Sequence, residues 1–85
     1  MTWAMQVGCG VYTHAIRERR YLYFWHYETR GGLRVQVNEY VGPVDSLRAK
    51  TEAGHRCEAY YARAAEELER ARIASLAGIR AVEHT

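Results

Sequence analysis

The sequence has only one proline and two cysteines, and each shortage excludes a class of protein. A single proline among 85 residues that are 48% hydrophobic excludes a proline-rich or disordered chain. Cys9 and Cys57 show neither a CxxC spacing nor a repeated framework, which excludes a small secreted disulfide scaffold and favours a cytoplasmic protein. No apolar run reaches the length of a membrane span, and the N-terminus lacks a signal-peptide pattern, so we expect a soluble, unprocessed chain.

Motifs of catalysis are also missing from the sequence. It contains no phosphate-binding loop, no nucleophile elbow and no HExxH motif, so we expect no enzymatic activity. Cys9, His14, His55 and Cys57 are residue types that bind zinc, but His55-x-Cys57 is not a chelating spacing. We therefore predict neither a metal ion nor a cofactor.

Arginine and aromatic residues are what the sequence has in abundance. Eleven of its twelve basic residues are arginines, and seven tyrosines and two tryptophans accompany them. Arginine offers a planar fork that binds anions and stacks on rings. A genomic or high-temperature preference for arginine, as in a thermophile, explains the same count. The net charge of +2 lies in the first half, where five arginines before residue 45 exceed three glutamates.

The residue pattern predicts one α+β domain, a three-stranded antiparallel sheet packed on a long C-terminal helix. Residues 1–44 form the sheet half, with strands over 3–16, 20–28 and 33–41, and a glycine-bearing turn over 29–32 closes a hairpin. Residues 45–78 form the helical half and 79–85 a tail. Asp45 or Ser46 can cap the helix, Gly54 can bend it and Gly78 can stop it.

The helix carries a narrow apolar stripe with spacings of three and four residues. Its members are Cys57, Tyr61, Ala64, Leu68 and Ala71. Further apolar residues of the helix lie off this stripe, so the helix has more apolar surface than the sheet alone covers. We therefore expect a homodimer that forms through the C-terminal helix.

The hairpin turn sets which residues face each other. A tip at 30–31, or a loop over 29–32, pairs Trp25 with Gln36, Tyr27 with Arg34, Tyr23 with Asn38 and Tyr21 with Tyr40. The opposite face supplies the predicted core, which consists of Leu22, Phe24, His26, Leu33, Val35, Val37 and Val41. The other face carries an aromatic stripe, in which Tyr21, Tyr23, Trp25 and Tyr27 alternate with Arg34, Gln36 and Asn38. An exposed aromatic stripe of this kind needs an explanation.

Three interpretations of the aromatic stripe stay open. In the first, its rings and arginines bind nucleic acid, with amides that can read base edges. In the second, the stripe is a homodimer interface of a structural or protein-interaction module, because tyrosine and tryptophan are enriched at such interfaces. In the third, it lines a groove for a peptide or a small ligand.

Residues 20–43, RYLYFWHYETRGGLRVQVNEYVGP, resemble an aromatic hairpin that ends in Tyr-Val-Gly. Such hairpins recur in small prokaryotic proteins and at the N-terminus of some transposases and integrases. The order of strands and helix also resembles the arm-binding domain of tyrosine integrases and the plant GCC-box-binding domains, whose sheet enters the DNA major groove. The resemblance implies DNA binding through the sheet, although such hairpins usually carry several basic residues in their second strand and this one has only Arg34.

Nucleic-acid binding, with DNA as the expected partner, is thus the function that the sequence favours. The arginines before the hairpin can reach a phosphate backbone beside the aromatic stripe. The predicted contact residues are Arg17, Arg19, Arg20, Tyr21, Tyr23, Trp25, Tyr27, Arg30, Arg34, Gln36 and Asn38.

Overall fold

The computed structural model describes residues 7–83 and has an α+β fold, as the sequence predicts. Strands β1 (Cys9–Ile16), β2 (Arg19–Arg30) and β3 (Leu33–Pro43) form an antiparallel sheet in the order β1-β2-β3. One helix, α1 (Leu47–Glu83), follows the sheet. Residues 3–6 of the predicted first strand lie outside the described part of the chain.

Both hairpins close with two-residue turns in which each residue has a positive φ. The β2–β3 turn uses Gly31 (φ 57°) and Gly32 (φ 80°), which adopt this conformation freely. The β1–β2 turn uses Arg17 (φ 47°) and Glu18 (φ 65°), whose side chains make the same conformation unfavourable. Turns of this kind match the twist of the flanking strands, so the first hairpin keeps two charged residues at its tip at a cost in backbone energy.

The turn at Gly31 and Gly32 shifts the predicted pairing of β2 with β3 by two residues. Trp25 pairs with Asn38, and Tyr27 pairs with Gln36. The predicted partners are wrong because both strands continue to the glycine pair, so that Arg30 and Leu33 are the last residues to pair. A shift of two residues preserves the alternation of side chains, so the two faces of the hairpin keep their predicted members.

A bulge near the end of β3 changes the pairing once more. Tyr23 pairs with Tyr40, whereas Leu22 pairs with Gly42, so Val41 is the extra residue. Tyr21 consequently pairs with Pro43 and not with Tyr40 as predicted. The bulge brings Gly42 to the helix.

The core is small and lies between β2 and the first turns of α1. Leu22 and Phe24 are buried, as predicted, together with Ala49 and Ala53 of the helix. The close approach depends on Gly42, where a β-carbon would lie 3.0 Å from the Ala49 Cβ. Leu33, also predicted to be in the core, is 70% exposed because it lies beside the hairpin tip.

The helix begins where the sequence predicts and ends later. The Ser46 Oγ accepts a hydrogen bond of 3.2 Å from the Ala49 backbone N–H, which caps α1. The helix then runs without interruption through Gly54 and Gly78 to Glu83. The predicted stop at Gly78 is wrong because one glycine costs a helix only about 1 kcal/mol.

Only the N-terminal half of α1 packs on the sheet. The Tyr60 hydroxyl accepts a hydrogen bond from the Gly8 N–H (3.1 Å) and donates one to the Tyr27 carbonyl (2.9 Å). Ala64 is the last half-buried residue, and every residue from 65 to 82 is exposed. This projecting segment is about 27 Å long, and the molecule measures 67 × 24 × 23 Å. Within residues 7–83, α1 is not apolar enough to cross a membrane.

Candidate nucleic-acid interface

The sheet has one face packed on α1 and one face that no described residue covers. We call the second the open face. The alternation of side chains along the three strands defines its members. They are Gly10, Tyr12, His14 and Ile16 of β1, Arg19, Tyr21, Tyr23, Trp25, Tyr27 and Thr29 of β2, and Arg34, Gln36, Asn38 and Tyr40 of β3.

Tyr23 lies at the centre of a group of rings that crosses all three strands. Its ring stacks on Tyr12, with centroids 5.2 Å apart and planes 10° apart, and meets Tyr40 edge-on at 5.7 Å. Tyr21 continues the group, 5.9 Å from Tyr40, and His14 meets Tyr23 edge-on at 6.3 Å. The rings therefore support one another on a face that residues 7–83 leave uncovered.

Trp25 and Tyr27 form a second ring group nearer the β2–β3 turn. Their centroids are 5.5 Å apart, and the Arg34 guanidinium lies 4.4 Å from the centroid of the Tyr27 ring. This cation–π contact holds the arginine on the open face. Gly10 of β1 makes room for the indole, because a β-carbon there would lie 2.9 Å from the Trp25 Cζ2.

Two amide side chains form a pair on β3 beside the rings. The Gln36 Nε2 donates a hydrogen bond of 3.1 Å to the Asn38 Oδ1. That bond leaves the Gln36 oxygen as an acceptor and the Asn38 NH₂ group as a donor. A donor next to an acceptor matches the pattern that a base edge presents in the major groove.

The open face carries no carboxylate on any of its described strand residues. Glu28 and Glu39 belong to the opposite face, where the Glu39 Oε1 lies 3.0 Å from the His26 Nε2 and the Glu28 Oε1 lies 3.8 Å from the His26 Nδ1. His26 is half-buried and stacks on Phe24, with ring centroids 5.4 Å apart. The open face therefore presents arginine, histidine, amide and aromatic groups to a partner.

The structure divides the predicted arginines between the two faces. Arg19 and Arg34 lie on the open face, and Arg17 lies in the turn at its end. Arg20 and Arg30 lie on the opposite face, where Arg20 donates to the Thr13 Oγ1 (3.1 Å) and Arg30 forms a 2.8 Å ion pair with Glu28. Arg20 and Arg30 were grouped with the others because the sequence pattern placed them at turns. β2 includes both, and their even positions put them on the face of Leu22 and Phe24.

The predicted aromatic and amide residues are all brought together on the open face, and three further residues join them. Tyr12 and His14 were missed because the pairing of β1 was not predicted, and Tyr40 was left out of the predicted contact set. The even parity of Tyr12 and His14, opposite to that of Cys9 and Val11, was the available signal.

A cleft of about 680 Å³ lies on the other side of the sheet, between β2 and α1. It is lined by charges of both signs, among them Glu28, Glu39, Arg56 and Arg63. Mixed charge does not favour a ligand of either sign. Within residues 7–83 no group of three or more histidine, cysteine, aspartate or glutamate side chains is placed to hold a metal ion.

In comparisons with known proteins, no family model, no curated protein and no solved structure matches the chain. The resemblance to integrase-type domains therefore rests on residues 20–43 and on the order of the elements.

Proposed function

We propose that this protein is a non-catalytic nucleic-acid-binding protein, with DNA as the partner, and that the open face is its binding surface. The observation that carries the proposal is the composition of that face. It combines exposed and half-buried rings with Arg19 and Arg34, and its strand residues include no carboxylate.

The charge distribution supports a polyanionic partner. Arg17, Arg19 and Arg34 lie at or beside the open face with one carboxylate, that of Glu18 in the same turn as Arg17. Glu28 and Glu39 lie on the other side of the sheet. Arginines in such positions bind phosphates and release the counterions that surround a nucleic acid. The backbone strain at Arg17 is consistent with this role, because strained residues cluster where function requires them.

The shape of the open face supports a duplex as the ligand. The outer strands of a three-stranded sheet lie roughly 10 Å apart, and the major groove of B-DNA is about 12 Å wide. Gln36 and Asn38 lie on β3, where a sheet in the groove presents its side chains to base edges. The neighbouring rings offer surfaces for sugars, thymine methyl groups or unstacked bases.

A second surface supports the predicted homodimer. On the projecting part of α1, Leu68 (67% exposed) and Ile79 (58% exposed) belong to one stripe with Ala71. Antiparallel packing of two copies places Leu68 of each chain near Ile79 of the other. It also brings the acidic turn at 66–69 near Arg80 of the second copy, whereas parallel packing sets like charges together.

Self-association through the open face is the alternative function, that of a structural or protein-interaction module. Tyr40 is 53% exposed and Tyr12 is 38% exposed, and interfaces are enriched in such residues. The helix stripe favours the nucleic-acid function, because it offers a separate surface for dimerisation and leaves the open face free.

Binding measured against salt tests the proposed function. Fluorescence anisotropy with labelled duplex DNA, single-stranded DNA and RNA gives the association constant at increasing KCl. If the three arginines each meet a phosphate of duplex DNA, the plot of log K against log salt has a slope of about −3.

Two matched variants locate the binding surface. Arg34→Gln removes a charge from the open face and should weaken binding several-fold and reduce the slope by about one. Arg63→Gln removes a charge from α1 and should change neither value. The absence of binding to every probe at low salt contradicts the proposal, and loss of self-association in Trp25→Ala then supports the alternative.

A further inference from the structure

The two cysteines, 48 residues apart in the sequence, meet where β1 packs on α1. The Cys9 Sγ lies 2.8 Å from the Cys57 Sγ, and both side chains are half-buried. A disulfide joins two sulfurs at about 2.05 Å, so less than about 1 Å separates this pair from a bond. The hydrogen bonds of Tyr60 to Gly8 and Tyr27 fix the two elements beside the pair.

We propose that Cys9 and Cys57 form a reversible intramolecular disulfide, which makes the pair a redox modification site tying β1 to α1. The oxidant is a small-molecule disulfide of the glutathione type. The thiolate of one cysteine attacks it, which forms a mixed disulfide and releases one small thiol. The other cysteine attacks the protein sulfur of the mixed disulfide and releases the second thiol. The protein loses two electrons and two protons, and the oxidant gains them.

The surroundings favour a bond between the cysteines over the other uses of paired thiols. A structural zinc ion takes four ligands, and among residues 7–83 no third histidine, cysteine or carboxylate joins the two sulfurs. Half-buried sulfurs remain open to a small oxidant, unlike cysteines enclosed in a core.

The environment of Cys9 also disfavours a stable thiolate. Burial, together with the hydrogen bond between the Cys9 and Cys57 thiols, raises the pKa of the Cys9 thiol to about 11. The raised pKa keeps the Cys9 thiol protonated near neutral pH, so exchange at Cys9 is slow there and becomes faster as the pH rises.

The bond would act on the least anchored part of the sheet. β1 is an edge strand, and its residues 11–16 are all exposed. Gly10, which follows Cys9, lies under the Trp25 indole of the open face. A covalent tie at Cys9 therefore fixes the strand that underlies this ring group, and it does so whether or not the open face binds nucleic acid.

Mass spectrometry of the full chain across a series of glutathione redox buffers tests the proposal. The wild-type protein should lose about 2 Da as one intramolecular bond forms, and a peptide joining Cys9 to Cys57 should appear without reductant. Cys9→Ser and Cys57→Ser should each give a glutathione adduct and no such loss.

Melting and amide exchange provide readouts that need no substitution. The oxidised wild-type protein should melt several degrees higher than the reduced one, and the β1 amides should exchange more slowly. A wild-type chain that keeps two thiols at every potential, or forms only mixed or intermolecular disulfides, overturns the proposal.

Discussion

Gly10 of β1 and Gly8, which precedes the strand, lie beneath the second ring group, and they tolerate an added methyl group to different degrees. At Gly10 a β-carbon would lie 2.9 Å from the Trp25 indole, whereas at Gly8 it would lie 3.6 Å from the Tyr27 ring. The first distance requires the indole to move, and the second is an ordinary contact.

We expect Gly10→Ala to destabilise the protein by about 1–2 kcal/mol, the usual cost of forcing extra volume into a packed site. Gly8→Ala is the matched control and should change the free energy of unfolding by less than about 0.5 kcal/mol. Urea denaturation measures both variants. Equal stability of the two would show that the indole does not rest on Gly10.

The strained turn at Arg17 and Glu18 is a place where a substitution should stabilise the protein. Glu18 has a φ of 65° without a glycine's freedom, so Glu18→Gly should stabilise the protein by about 1 kcal/mol. Gly32 has a φ of 80° and open space around it, so Gly32→Ala introduces backbone strain without a steric clash. This substitution should destabilise the protein by a similar amount. Thermal unfolding measures both, and a loss of stability in Glu18→Gly would contradict the assigned turn.

The thiol of Cys9 gives the reduced protein a defined pH dependence. Burial and then the Cys57 hydrogen bond raise its pKa from 9.0 to about 11, so the folded state holds this proton more tightly than the unfolded state. The resulting stability is fully present below pH 9 and is lost as the pH rises to about 11. Urea denaturation in reductant over this range should show a steeper fall for the wild type than for Cys9→Ser. Parallel profiles would contradict the shift.

At the scale of the elements, the two halves of the long helix differ in their surroundings. Its first half packs on the sheet through Ala49, Ala53 and Tyr60, and its second half is exposed. A projecting helix of this length gains most of its stability from packing of its apolar face, which a second copy can supply.

We expect Leu68→Glu to convert a dimer of twice 9.8 kDa into a monomer, because it places a charge in the apolar stripe. Ile73→Glu is the matched control. Ile73 is similarly exposed (54%), but it lies about 140° around the helix from Leu68, so the dimer should persist. Sedimentation equilibrium distinguishes the two masses. A wild-type chain that stays monomeric at high micromolar concentration excludes the helix interface.

The faces of the hairpin could be predicted from the sequence, whereas the contact between α1 and β1 could not. Alternation in 33–41 and the Gly31–Gly32 pair were sufficient to predict the hairpin and its two faces, because parity survives a shift of two residues. The exact pairing was missed because the predicted turn was centred one residue before the Gly31–Gly32 pair, which takes positive φ freely, and because the bulge at Val41 has no local signal. Likewise, the meeting of Cys9 with Cys57 depends on how α1 packs on β1, which no local pattern encodes.

At the scale of the whole molecule, the position of the charged residues on the fold is more informative than the net charge of +2. The sheet half holds five arginines and three glutamates, and the carboxylates of Glu28 and Glu39 lie on the side away from the open face. The result is a small molecule with one carboxylate-free aromatic face and a projecting helix. In the proposed function, the open face binds nucleic acid while the stripe on α1 binds a second copy.

A nuclear magnetic resonance titration of the labelled protein with a short DNA duplex tests the central claim most directly. The Trp25 indole N–H, the Gln36 and Asn38 side-chain amides and the Arg34 Nε–H report from the open face. If the open face binds DNA, these four signals shift at low salt and return at high salt, while the side-chain signals of Arg63 and Arg72 on α1 stay unchanged. Shifts confined to α1, or none at all, would contradict it.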